Sequence, residues 1–139
     1  DLNSPIADIR ANITDLPFEE NTFDIIFCNH VLEHIQDDTK AMKELYRVMK
    51  KGGMGVFQIP QDLNRETTFE DNSITDKKER AKIFGQYDHV RIYGLDYFDK
   101  LRSIGFNVEE VNYSQKISSE LLSRYRLMEG ELLPVVFKN

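Results

Sequence analysis

Cysteine is nearly missing from these 139 residues: there is one, Cys28, inside an apolar run. That excludes a disulfide framework and fits a reducing, cytoplasmic setting. No apolar run approaches the roughly 20 residues that span a bilayer, and the first residues lack the pattern of a secretory signal. Basic charge is short as well. Lys and Arg number 18 against 24 Asp and Glu, a net charge of −6. This argues against the basic face that nucleic acid or an anionic membrane would need. Internal repeats, low-complexity segments and any G-x-G-x-x-G turn are absent. What remains is 40% apolar and 30% charged, the balance of one globular domain with a real core and too short for two. The opening Asp1-Leu2-Asn3-Ser4-Pro5 reads as a loop leaving a strand, so the chain is expected to be part of a longer domain.

Phe23–Cys28 is rich in β-branched and aromatic residues and apolar almost throughout, as in a central parallel strand covered on both faces. Asn29-His30-Val31-Leu32-Glu33-His34 follows, and Asp37-Asp38-Thr39 supplies N-cap chemistry for a helix. Met42, Leu45, Tyr46 and Met49 make one apolar stripe on it. Arg47, Lys50 and Lys51 complement the helix dipole at its end, and Gly52-Gly53 is predicted to stop it. Gly55–Ile59, closed by Pro60, is the next strand, and the short joints of this strand–helix–strand unit require parallel strands. Residues 61–88 are polar and read as a long excursion or lid, with a short helix near Lys77–Phe84. Asp96 is predicted to cap a helix carrying Tyr97, Phe98, Leu101 and Ile104, stopped by Gly105. Phe106–Tyr113 and Leu132–Phe137 read as two closing strands with a helical piece near Ser118–Met128 between them. The fold class is α/β with an open sheet. Asp24 is expected to be satisfied structurally at the strand's entry, and Cys28 to be a small core residue rather than a nucleophile.

Leu16-Pro17-Phe18, Phe23-Asp24-Ile25-Ile26, His30-Val31-Leu32-Glu33-His34 and Glu44-Leu45-Tyr46-Arg47-Val48-Met49-Lys50-Lys51-Gly52-Gly53 occur in that order between Ile13 and Pro60. Together they closely resemble the class I S-adenosylmethionine-dependent methyltransferases of the type 11 group. Tyr87-Asp88-His89-Val90-Arg91 and Gly105-Phe106 extend the likeness less distinctly, and Lys51 stands where the family usually has proline. The resemblance implies a Rossmann-like sheet, mostly parallel with an antiparallel C-terminal strand. Residues 1–139 would be a single partial domain lacking the first strand and helix, because the family's glycine-rich cofactor turn should precede Asp1. It also implies in-line methyl transfer from S-adenosyl-L-methionine to a small or medium acceptor, leaving S-adenosyl-L-homocysteine.

In an open α/β sheet the ligand lies beyond the carboxyl ends of the strands. By resemblance, Asp1 would accept hydrogen bonds from the ribose hydroxyls. Asn12 would read the adenine amino group through its amide oxygen, and the Ile13 N–H would meet the adenine ring. Asn29 and His30 would line the ribose and methionine end. A general base is needed only if the acceptor must lose a proton; His89, in an aromatic-rich stretch with Tyr87 and Tyr93, is the first candidate and His34 the second.

Other readings stay open at this stage. His30-Val31-Leu32-Glu33-His34 matches H-x-x-E-H, the inverted zinc-peptidase motif, which needs both histidines on one continuous helix. Here the first histidine directly follows a strand. A methyltransferase-like fold without its glycine turn could serve as a non-catalytic binding or dimerisation module. A nicotinamide-dependent Rossmann enzyme shares the α/β logic but also lacks its glycine motif. An exposed strand edge makes pairing into a homo-dimer plausible. The expected partner is a small-molecule substrate, and no motif in residues 61–93 is diagnostic of which one.

Overall fold

The computed structural model describes residues 5–139, so the role expected of Asp1 lies outside the described residues. The chain begins its regular structure with β1 (Phe23–Phe27), a 3-10 turn (Leu32–His34), α1 (Asp38–Val48) and β2 (Met49–Val56). The excursion holds β3 (Phe69–Glu70), α2 (Lys77–Phe84) and β4 (Arg91–Ile92). The last part is α3 (Tyr97–Ile104), β5 (Asn107–Asn112), α4 (Ser119–Tyr125) and β6 (Leu132–Phe137). The main sheet runs β1-β2-β6-β5. β1 and β2 pair parallel, and β6 is antiparallel to both β2 and β5. Three strands therefore point one way and β6 alone opposes them, the mostly parallel α/β sheet with an antiparallel closing strand that the sequence predicts. β3 and β4 form a separate antiparallel ribbon.

The core fills the space between the sheet and α1 with α3. Ala41, Met42 and Leu45 of α1 and Tyr97, Phe98 and Leu101 of α3 close over Phe57, Phe106, Val108 and Val136. Phe106 meets Tyr46 and Phe57 edge to face at 5.0 and 5.4 Å, the arrangement that ring quadrupoles favour. The buried Tyr97 hydroxyl donates to the Phe57 carbonyl at 2.8 Å.

Leu16-Pro17-Phe18 is held to α1 by an ion pair. The Arg47 guanidinium donates to the carbonyls of Leu16 (3.0 Å) and Phe18 (2.8 Å) and to the Glu44 carboxylate, which accepts the Leu16 N–H at 2.8 Å. Those hydrogen bonds, Arg47's first, hold the Glu44 carboxyl below its ordinary value. Arg47 is thus spent on this clamp rather than on the helix dipole.

Three expectations are corrected. β1 is not covered on both faces: it is an edge strand among the described residues, and Ile25 and Phe27 are 55% and 71% exposed. Gly52-Gly53 do not end α1. The helix stops at Val48, Met49 is already extended, and the glycines lie within β2. There Phe23 pairs with Met49 but Ile25 with Met54, so β2 bulges against β1, with Gly52 at φ +76°. Gly53 is required by close approach, since a Cβ would sit 2.8 Å from the Lys50 carbonyl oxygen. Asp96 precedes α3 but makes no side-chain cap; its carboxylate instead accepts the Thr68 N–H and hydroxyl at 2.8 and 2.7 Å. Asp24 is satisfied as expected, by Lys50 at 2.7 Å.

The excursion is anchored through Arg91, whose side chain is 1% exposed. Its guanidinium donates to the carbonyls of Leu32 (2.9 Å), Ile35 and Gln36 (2.9 Å) and to the Glu70 carboxylate (3.0 Å). Beside it, Asp38 accepts from Tyr93 and Lys100, each at 2.6 Å. This cluster fixes the turn that carries Glu33 and His34 against the start of α1.

Candidate functional site

The parallel ladder continues past the end of β1: the Cys28 N–H donates to Val56 (2.9 Å) and the His30 N–H to Gln58 (2.8 Å). At His30 the backbone turns left-handed, φ +54°, a conformation rare outside glycine and stored mostly where surrounding structure enforces it. The chain leaves the sheet there and drops into the 3-10 turn. Alongside β1 lies a groove of about 810 Å³ whose walls include Asn12, Ile13, Leu16, His30, His34 and Asp88. A smaller cavity of about 330 Å³ lies across His30, bounded by Pro60, Gln61 and Glu131. His30 stands on the ridge between the two.

The fold therefore brings Asn12, Ile13, His30 and His34 to one groove. His89 joins them indirectly, its ring edge-on to His34 at 4.8 Å between centroids. Asn29 is exposed, but its side-chain oxygen accepts the Gln58 N–H at 3.3 Å and it is not part of the groove wall. Asn12 closes an Asx turn: its side-chain oxygen accepts both the Thr14 N–H and hydroxyl at 3.0 Å. With that oxygen's two lone pairs engaged, the group Asn12 presents outward is its amide nitrogen.

Glu33 lies beneath the histidines and is 2% exposed. Its Oε1 is 3.6 Å from His30 Nδ1 and 3.8 Å from His34 Nε2, and on the far side of His34 the Asp88 carboxylate is 3.4 Å from Nδ1. Among the described residues Glu33 Oε2 has no hydrogen-bond partner. Burial, with the Glu33 charge adding to it, pushes the Cys28 thiol up to about 12, so Cys28 is a neutral core residue as its sequence setting suggests. Burial likewise raises the Tyr93 and Tyr97 hydroxyls well above their ordinary range, leaving both as donors.

One member of the site was given no role by sequence reasoning, Asp88, and Glu33 entered only through the H-x-x-E-H alternative. The signal was present: the chain has three histidines, and here all three gather round one carboxylate. The H-x-x-E-H reading pointed at part of this group for the wrong reason. The helical turn covers only Leu32–His34 and His30 lies outside it, so the motif's histidines do not share a helical face.

A profile of the methyltransferase domain family matches residues 2–57. An uncharacterized protein of Methanocaldococcus jannaschii is 42% identical over 78 residues, 55% of this chain and 34% of that protein. The ubiquinone/menaquinone biosynthesis C-methyltransferase of Haemophilus ducreyi is 44% identical over 45 residues, 32% of this chain and 17% of the relative. The matched stretch thus spans 34% and 17% of these two curated relatives. Among solved structures, a SAM-dependent methyltransferase from Thermotoga maritima superposes with TM-score 0.59 at 20% identity, covering 94% of this chain and 63% of that one; this likeness concerns the fold. No helix among the described residues is long and apolar enough to cross a membrane.

Proposed function

We propose that the chain belongs to the class I S-adenosylmethionine-dependent methyltransferases of the type 11 group, whose domain profile matches residues 2–57, and that the groove beside β1 serves methyl transfer from S-adenosylmethionine to a small or medium acceptor. One observation carries this reading. Asn12, Ile13, His30 and His34, from two separate segments, line a single groove that runs along β1 to its carboxyl end, where open α/β sheets bind ligands.

The residues present fit such a cofactor. The groove's volume lies in the range of about 300–1,000 Å³ typical of ligand sites, and its lining is apolar with a few polar groups, as those sites require. Ile9, Ile13 and Leu16 form a dry wall suited to a flat aromatic base. Asn12 offers its amide nitrogen as a donor, which suits a ring nitrogen of adenine better than its amino group. The Ile13 N–H supplies a second donor at the same end. S-adenosylmethionine, when bound, supplies a methyl group on a sulfonium, reactive without help from the protein. The chain's work is then orientation and exclusion of water, holding donor and acceptor about 3 Å apart. His30 is fixed at the ridge by its left-handed backbone, between the groove and the cavity that reaches Glu131. Where the acceptor must lose a proton, His89 is the first candidate to take it and His34, with Asp88 3.4 Å from its Nδ1, the second. Residues 61–88 act as a lid over the site in this reading.

The test is calorimetric titration of S-adenosylhomocysteine into the full protein as its gene encodes it. Binding that weakens tenfold or more (about 1.4 kcal/mol) on Asn12→Ala is expected. A well-folded protein that binds none overturns the reading.

A further inference from the structure

We propose that Glu33, His34 and His89 form a binding site for one divalent first-row transition-metal ion of the zinc type, with Asp88 holding His34 in position. The site lies beneath the groove, and the argument for it does not depend on methyl transfer.

The geometry comes first. One ligand atom from each of the three residues lies within 4.8 Å of the others. Tetrahedral zinc, with bonds of about 2.0–2.2 Å, sets its ligand atoms about 3.4 Å apart. His34 Nε2 and Glu33 Oε1 are already at 3.8 Å, so closure needs about an ångström of movement. The two half-exposed rings can supply it by rotation, while Glu33 stays fixed in the interior.

The second observation is independent. Glu33 is 2% exposed, yet Oε2 accepts no hydrogen bond among the described residues. Native interiors almost never leave a buried carboxylate oxygen without a donor, because water solvates it far better. His30 and His34 are 3.6 and 3.8 Å from Glu33 Oε1, and among the described residues no lysine or arginine pairs with Glu33. A dication bound between Glu33 and the two imidazoles would offset that buried charge.

The third is the surroundings. Histidine ligands to metals usually donate their other ring N–H to a carboxylate, which fixes the tautomer and raises ligand basicity. His34 has that arrangement: Nε2 faces Glu33 and Nδ1 faces Asp88 at 3.4 Å. Two imidazoles and one carboxylate suit zinc, cobalt, nickel or ferrous ions, whereas magnesium and calcium want oxygen alone. The ligand set differs from that of the inverted peptidase motif, since His89 replaces His30. With the ion bound, the two imidazoles are ligands, so this site and the base role given above to His89 and His34 are mutually exclusive.

Cobalt(II) chloride is the probe, titrated into the chelator-treated full protein. Four-coordinate cobalt gives an intense visible band that the aqua ion lacks. The expected result is a band saturating at one equivalent, bleached by one equivalent of zinc and lost in His89→Ala. Asp88→Asn should keep the band but weaken binding by about 10–100-fold. Only the aqua-ion spectrum in folded wild-type protein overturns the proposal, as does a band that survives His89→Ala. Should Glu33→Gln fail to fold, the wild-type spectrum and His89→Ala decide alone. S-adenosylhomocysteine titrated into the same samples separates the two readings: loss of one signal leaves the other standing.

Discussion

Replacing Arg91 with methionine should destabilise the chain by about 3–5 kcal/mol, the range for removing one partner from a buried charged cluster. The Arg91 side chain is 1% exposed, and its guanidinium satisfies three main-chain carbonyls, those of Leu32, Ile35 and Gln36. Hydrogen bonds to a charged donor contribute about 1.5–3 kcal/mol each. Their full sum is not expected, since methionine avoids desolvating a guanidinium and Lys100 with Tyr93 still satisfies Asp38. The Glu70 carboxylate also accepts from Arg91 but is 46% exposed, so Glu70→Gln should cost at most about 1 kcal/mol. Urea unfolding followed by circular dichroism reads both variants, provided the denaturant slope is unchanged. Arg91→Lys, which keeps the charge and loses the planar fork, should fall between them. The reasoning is refuted if Arg91→Met costs under about 1 kcal/mol, or if Glu70→Gln costs as much as Arg91→Met. Either result would place the anchor of the excursion on its surface rather than in the carbonyl cradle.

Gly55→Ala should cost about 1–3 kcal/mol through overpacking, because a Cβ would meet Phe57 Cε1 at 2.7 Å and the Ile26 carbonyl oxygen at 3.0 Å; a neutral result in the same urea assay would show that β1 and β2 can separate freely. Glu44→Gln should lower stability at neutral pH and do so less in acid. The Glu44 carboxyl is held below its ordinary 4.5, so its contribution is complete above that value and fades as pH falls through the folded-state value below it. Urea midpoints of wild type and variant at about pH 7 and about pH 3 check this; a gap that does not narrow in acid would refute the assignment.

The parallel pairing of the first two strands was legible because local chemistry and long-range pairing agree. FDIIF followed by capped α1 and a second apolar run allows little besides a parallel pair, and α2, α3 and β6 fall close to the bounds read for them. The joint after α1 was misread because Gly52-Gly53 carry a helix-stop signature, while their actual constraint is the approach of β1 and the Lys50 carbonyl, which no local rule contains. Asp96 was misread for the same kind of reason: its carboxylate answers Thr68, on a segment distant in sequence. At the site, Asn12, Ile13, His30 and His34 were reachable through the resemblance. Glu33 and Asp88 acquire meaning only when the excursion folds back and sets His89 beside His34. The exposure of Ile25 and Phe27 contradicts what their composition suggests, since an apolar strand cannot by itself report which of its faces is covered.

Lys138 is 8% exposed although it stands next to the end of the chain. Its ammonium donates to the Tyr46 and Met49 carbonyls at 2.8 Å and to Asn21 Oδ1 at 3.0 Å. The joint between α1 and β2 therefore waits for a residue translated 89 positions after Met49. At roughly 5–20 residues per second, the ribosome holds that joint unfinished for several seconds, with carbonyls that have only water as a partner. Vectorial synthesis thus delivers the strand–helix–strand unit early and its fastening late. A nascent chain stalled before Lys138 would already contain every groove residue named above, yet lack the tether that closes the α1–β2 corner.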